Sequence, residues 1–223
     1  MEISSSMVSA NRILQWHDQL TRHWHEPGEM AAQGSLGAHA PAESLSREAA
    51  EFLVRVARQH RANFDLWHIE DQARTPGASD TALADVKRRI DATNQLRNDL
   101  TEELDRALTE WLAQQGLPNA AAALHSESPG LMIDRLSIQA LKIYHTREET
   151  ERSGGPAGHG ERNRERLAIL EEQRRDLAHC LDVLWRETLA GTRRFKLYRQ
   201  LKMYNDPSLN PAIYGKAAGD GED

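Results

Sequence analysis

The chain has 223 residues, a formal net charge of −6, and 28% charged against 39% hydrophobic residues. That balance suits one sizeable helical core and argues against a general nucleic-acid binder, a role left only to the basic run Arg193–Lys202. No apolar run reaches bilayer-crossing length, the opening MEISSSMVSANRILQW lacks the basic flank and apolar core of a secretory signal, and one cysteine, Cys180, cannot close an internal disulfide, so a cytoplasmic setting is expected.

Residues 9–24 place Ile13, Leu14, Leu20 and Trp24 in a short amphipathic segment, with His17, His23 and His25 assigned to solvent. HEPGEMAAQGSLGAHAPAES follows, a linker rich in Gly, Ala and Pro. Residues 1–42 are therefore expected to form an arm and flexible linker. A first long helix runs from about residue 43 to Arg74, with Leu45, Ala49, Phe52, Leu53 and Val56 on its apolar stripe. Thr75-Pro76-Gly77-Ala78-Ser79-Asp80 is a short break, which predicts antiparallel, adjacent helices. Asp80 reads as the N-cap of a second helix that ends near Gln115, before Gly116-Leu117-Pro118. Residues 119–123 are read as an added helical turn.

Ser128 followed by Pro129 starts a helix that reaches Glu151. It is apolar on two sides, which predicts a central position. SGGPAGHG (153–160) is a flexible loop. Helix 161–190 follows, with Leu167, Leu170, Leu177, Leu181 and Leu184 on its stripe. Residues 193–204 read as a short basic helix, NDPSLNPAIYG as an extended ending, and 216–223 as a disordered acidic tail. Nothing alternates like a half-buried strand. The expected fold is all-α: a bundle of four long helices, made of an antiparallel hairpin (43–115) plus helices 129–151 and 161–190, with short N- and C-terminal helices. Residues 43–215 form the bundle domain.

The hairpin carries the distinctive feature. Continued at helical spacing, the first stripe reaches His60, Asn63, Phe64, Trp67, Asp71 and Arg74. The second runs Leu83, Val86, Ile90, Thr93, Arg97, with Lys87 and Asn94 at its edges. Counting back from the turn sets Trp67 and Asp71 against Lys87, and His60 and Asn63 against Asp91, Asn94 and Gln95. Buried polar groups need partners, at a cost of about 1–3 kcal/mol each when unmatched. Three arrangements satisfy that demand: a closed network that fixes register, a ligand pocket between facing helices, or exposure to water.

Known chemical motifs are absent. No Glu-x-x-His pair supports a dimetal bundle. His68 and Glu70 sit about 200° apart on a helix, and the spacing of His145 and Glu149 is too common alone, so neither a metal nor another cofactor is expected. There is no Walker loop, dinucleotide fingerprint or nucleophile elbow. Ser126, Ser128 and Ser137 lack a His–Asp context. His125 reads as a loop residue near a cap.

Four blocks, NFDLWHIEDQAR, VKRRIDATNQLRND, HSESPGLMIDRLSIQALKIYH and FKLYRQLKMYNDPSLNPAIYG, resemble in order the family known as domain of unknown function 4254, over roughly residues 45–215. PGLMIDRLSIQALK also resembles a stretch of a second uncharacterised bacterial family. The resemblance implies a bacterial protein from the setting of cell-envelope polysaccharide genes. It carries no activity and no catalytic residue. The shared blocks contain the polar residues already singled out.

The expected function is binding of an anionic or sugar-containing small molecule. Its candidate ligands are His60, Asn63, Trp67, Asp71, Arg74, Lys87, Asn94, Arg97, Asn98, Asp134 and Lys142, with His68 and His145 as candidates for proton transfer. The alternative is a non-catalytic interaction protein that docks a protein partner and whose polar seam is structural.

Overall fold

The computed structural model describes residues 7–25, 45–201 and 208–211. Among them five helices pack into the expected all-α bundle: α1 (Ala10–His25), α2 (Arg47–Gln72), α3 (Asp80–Gln114), α4 (Pro129–Glu151) and α5 (His159–Leu189). The starts of α2, α3 and α4 share one device. Ser46, Ser79 and Ser128 stand extended before their helices, and each hydroxyl accepts the N–H three residues on. Ser79 therefore replaces Asp80 as the cap of α3, and Asp80 becomes the first helical residue, where an acid suits the positive end of the dipole. Gly116, at φ 71°, turns the chain out of α3.

Helix α4 contacts each of the other four helices, the central position that its two apolar sides predict. Around it lie Trp16 and Ile13 of α1, Phe52 and Val56 of α2, Leu104 and Leu108 of α3, and Leu181 and Leu184 of α5, all buried. Each such side chain stabilises the fold by about 1.5–3 kcal/mol.

Three expectations need correction. The histidines of α1 are not all solvated. His17 is completely buried, because it sits one turn after Ile13 and beside Trp16 on the face that enters the core. The same helix is tied to its neighbours by Ala10 N–H donating to Asp182 (2.9 Å) and the Trp16 indole donating to the Leu53 carbonyl (3.2 Å).

The predicted basic helix does not begin at Arg193. Gly191, at φ 71°, ends α5. Arg193–Arg194 (β2) then pairs in parallel with Ala123–Leu124 (β1). His125 N–H extends the bridge to the Arg194 carbonyl at 2.7 Å, and Arg194 Nε donates to the Ala122 carbonyl at 2.9 Å. Backbone groups engaged this way cannot nucleate a helix, and residues 195–201 carry none. Two residues per strand are too few to show alternation in a sequence.

The third concerns the hairpin stripe. Residues 80–99 of α3 hold no buried side chain, and Leu83 is exposed. The core half of α3 begins only at Leu100. The predicted linker (26–44 of it), the end of the basic segment (202–204), most of the extended ending (205–207 and 212–215) and the acidic tail (216–223) lie outside the described residues.

Candidate functional site

Polar residues meet at one level of the bundle, but around α4 rather than across the hairpin. Asp134 of α4 enters between α2 and α3. Its Oδ1 accepts from Gln59 (2.6 Å), Asn63 (3.0 Å) and Arg97 Nε (2.8 Å), and its Oδ2 accepts from Arg97 Nη2 (2.6 Å). The bidentate pairing raises the Arg97 pKa above its ordinary value despite partial burial. Asn63 also donates to Ser137 Oγ at 2.9 Å. Ser137 stands 2.7 Å from His60 Nδ1, and His60 Nε2 lies 3.2 Å from the His17 carbonyl and 2.9 Å from the Thr21 hydroxyl. A carbonyl only accepts, so Nε2 carries the ring proton, and Ser137 donates its own to Nδ1.

The His60 end of the layer is sealed. His60 and Ser137 have no exposed surface. Burial, reinforced by the positive charge of Arg174, lowers the His60 pKa to about 3. His17 is driven down in the same way by burial, then by His60 and Arg174. Ser137 thus does have a histidine, which its sequence context hides, but the third partner is a carbonyl and no substrate can approach. Gln59 and Thr21 were not singled out from sequence; the Gln59–Asn63 spacing of four was the available signal.

Above this layer, a cleft of about 380 Å³ opens between α2, α3 and α4. Asn63, Trp67, Asp71, Arg74 and Arg97 line it, together with Glu70 and apolar residues. Five of the eleven sequence-selected binding residues are therefore gathered at one place. Asp134 lies behind Arg97, and His60 is closed off inside. Lys87 is largely exposed and pairs with Asp91, Lys142 is exposed, and Asn94 and Asn98 are half-buried on α3. None of these four is among the cleft's described lining residues. Arg97 is matched by Asp134 and Arg74 pairs with Glu70 at 3.2 Å, which leaves the Asp71 carboxylate as the lining charge in excess.

The two proton-transfer candidates also converge, with a third residue that the sequence reading placed in solvent. His25 at the end of α1, His68 of α2 and His145 of α4 bring one ring nitrogen each to within 4.8 Å of one another. His25 stacks on Tyr144 (centroids 4.3 Å) and His145 on Trp67 (4.8 Å). His25 Nδ1 lies 2.7 Å from the Thr21 carbonyl, and His145 Nδ1 lies 2.9 Å from the Glu148 carboxylate. The opposite nitrogen of each ring, Nε2, is buried without a hydrogen-bond partner among the described residues, a state that costs about 1–3 kcal/mol per group. Burial, and then the facing rings of His25 and His145, lower the His68 pKa. Glu149, the sequence partner considered for His145, instead meets His159 at 2.7 Å.

Asp105 of α3, also missed in the sequence, holds the start of α4. It accepts from Ser128 Oγ and from Gly130 N–H (2.7 Å). Burial raises its pKa to about 6.

A family model described as "Protein of unknown function (DUF4254)" matches residues 54–197. The match takes in Trp67, His68, Arg97, Asp134 and His145 and leaves α1 outside. No curated protein and no solved structure matches the chain.

Proposed function

Since the chain belongs to the DUF4254 family, whose description carries no activity, we propose from its geometry that it binds a sugar-containing small molecule in the cleft between α2, α3 and α4. The carrying observation is the composition of that cleft: Trp67, Glu70, Asp71, Arg74 and Arg97 beside apolar walls. An indole beside carboxylates suits a sugar, whose C–H face packs on the ring while its hydroxyls donate to Glu70 and Asp71. Both lining arginines are already paired and Asp71 is in excess, which favours a polyhydroxylated ligand over a strong polyanion. Arg74 is the cation nearest to hand for a single phosphate or carboxylate.

A role in envelope polysaccharide metabolism rests on the family resemblance alone. The test is a thermal-shift and tryptophan-fluorescence screen of neutral oligosaccharides, sugar phosphates and nucleotide sugars, repeated with Trp67→Ala. Stabilisation by a sugar ligand, lost in the variant, supports the reading. A screen in which no ligand stabilises the wild type removes it.

One observation favours a second reading, a non-catalytic interaction protein. Asp134 is held by Gln59, Asn63 and Arg97 within the protein, as a structural seam would be. Co-purification of a stoichiometric protein partner, with no ligand response, decides for it.

A further inference from the structure

Three histidines from three helices make an arrangement that the cleft does not need. We infer that His25, His68 and His145 form a binding site for a zinc-class divalent metal ion, with a fourth coordination position left open. The inference stands on the histidines themselves and is independent of what the cleft binds.

The first support is donor geometry. A tetrahedral zinc ion takes imidazole nitrogens at about 2.0–2.1 Å. The three donors lie within 4.8 Å of one another, so small rotamer shifts close them on one ion.

The second is the outer shell. A metal-bound imidazole characteristically donates its other N–H to a carbonyl or carboxylate, which fixes the tautomer. His25 has the Thr21 carbonyl at Nδ1 and His145 has the Glu148 carboxylate there. Each ring is thereby fixed with Nε2 as the lone-pair nitrogen, and both Nε2 atoms are buried without a hydrogen-bond partner. Packing alone explains the stacking on Tyr144 and Trp67. It does not explain why the Nε2 atoms of both His25 and His145 are buried without partners.

The third is charge. Glu148 lies 2.9 Å from His145 Nδ1, and Asp71 acts electrostatically on His68 from the same helix, so the site that would hold a dication has carboxylates on two of its helices. Imidazole donors select zinc, copper, nickel or iron over magnesium and calcium, and three histidines with an open position are the arrangement that admits a water or a ligand group.

The residues that contact this cluster also line two openings. Trp67 belongs to the sugar cleft, while Thr21, Tyr144 and Glu148 line a second cleft of about 360 Å³ between α1 and α4.

The test uses the full chain without a polyhistidine tag, stripped with chelator and desalted. Zn²⁺ alone is titrated by calorimetry, and Co²⁺ by its visible ligand-field absorption. One Zn²⁺ per chain is expected, with tetrahedral Co²⁺ bands. His68→Ala and His145→Ala each abolish the site, and Glu148→Gln weakens it by roughly 10–100-fold. His179→Ala, on an exposed histidine elsewhere, leaves it unchanged. Where an alanine variant loses helical circular dichroism, His68→Asn replaces it in the comparison. No stoichiometric binding, or binding that survives the His68 and His145 substitutions in folded protein, overturns the inference.

Discussion

Asp134→Ala tests the energetic centre of the bundle. The side chain is 8% exposed and accepts four hydrogen bonds from three residues on two helices. Its removal leaves the Gln59 amide, whose Oε1 already lacks a partner, without any described hydrogen bond. Asn63 retains Ser137. Arg97, 24% exposed, reaches water with part of its charge. Breaking a buried ion pair costs about 3–5 kcal/mol, and the exposure of Arg97 places this case at the lower end, about 3 kcal/mol. A typical domain has only about 5–15 kcal/mol to lose. Urea unfolding followed by circular dichroism measures the change through the midpoint at constant m. A cycle with Arg97→Ala and the double variant isolates the pair, with an expected coupling of about 2 kcal/mol. A loss under about 1 kcal/mol, or strict additivity of the two substitutions, refutes the assignment of Asp134 as the clamp between α2, α3 and α4.

Other consequences are open to measurement. Gly130→Ala sets a Cβ 2.7 Å from Asp105 Cγ and 2.8 Å from the Thr101 carbonyl, so it should lower stability by about 1–3 kcal/mol in the same urea assay. His60, neutral when folded because its pKa falls from 6.5 to about 3, protonates in the unfolded chain first. Its contribution to stability is therefore present above pH 6.5 and is lost at about 1.4 kcal/mol per unit as pH falls below that value. Asp105 acts with the opposite sign: its pKa rises from 3.8 to about 6, so it destabilises above pH 6 and is relieved on acidification. Asp105→Asn removes that counterweight and should steepen the loss between pH 6 and 4 by about 1.4 kcal/mol per unit, read from midpoints across pH. Trp67→Ala should abolish sugar-induced stabilisation while costing the apo fold little more than its lost packing on His145.

The bundle was legible because its signals are local. Ser128 before α4 sets a boundary that the sequence shows, Ser46 and Ser79 fall within a few residues of the expected starts of α2 and α3, and leucine spacing gives the buried face. Membership of the polar layer was partly legible too, since His60, Asn63, Arg97 and Asp134 all interrupt apolar stripes. Their partners were not. Counting back from the turn assumes that two antiparallel helices face only each other, and here a third helix enters between them. Asp134 takes Asn63 and Arg97, and His60 turns to Thr21 and Ser137, while Asn94 and Gln95 stay outside the layer. Pairwise register cannot foresee a three-body arrangement.

The histidine cluster shows the same limit more sharply. Sequence spacing shows ligand pairs only within single helices, where His68 meets only Glu70 and His145 only Glu149. The site instead draws one residue from each of three helices, so no spacing in the sequence encodes it. The sequence places His25 in solvent, yet α1 docks through Ile13, Trp16 and Leu20, and that docking carries its last residue to His68 and His145. A variant that loosens α1 without touching a histidine, such as Trp16→Ala, should therefore weaken Zn²⁺ binding alongside stability. Unchanged zinc affinity in that variant would mean that α1 holds His25 no closer than the unfolded arm would, and the third ligand would have to be sought elsewhere.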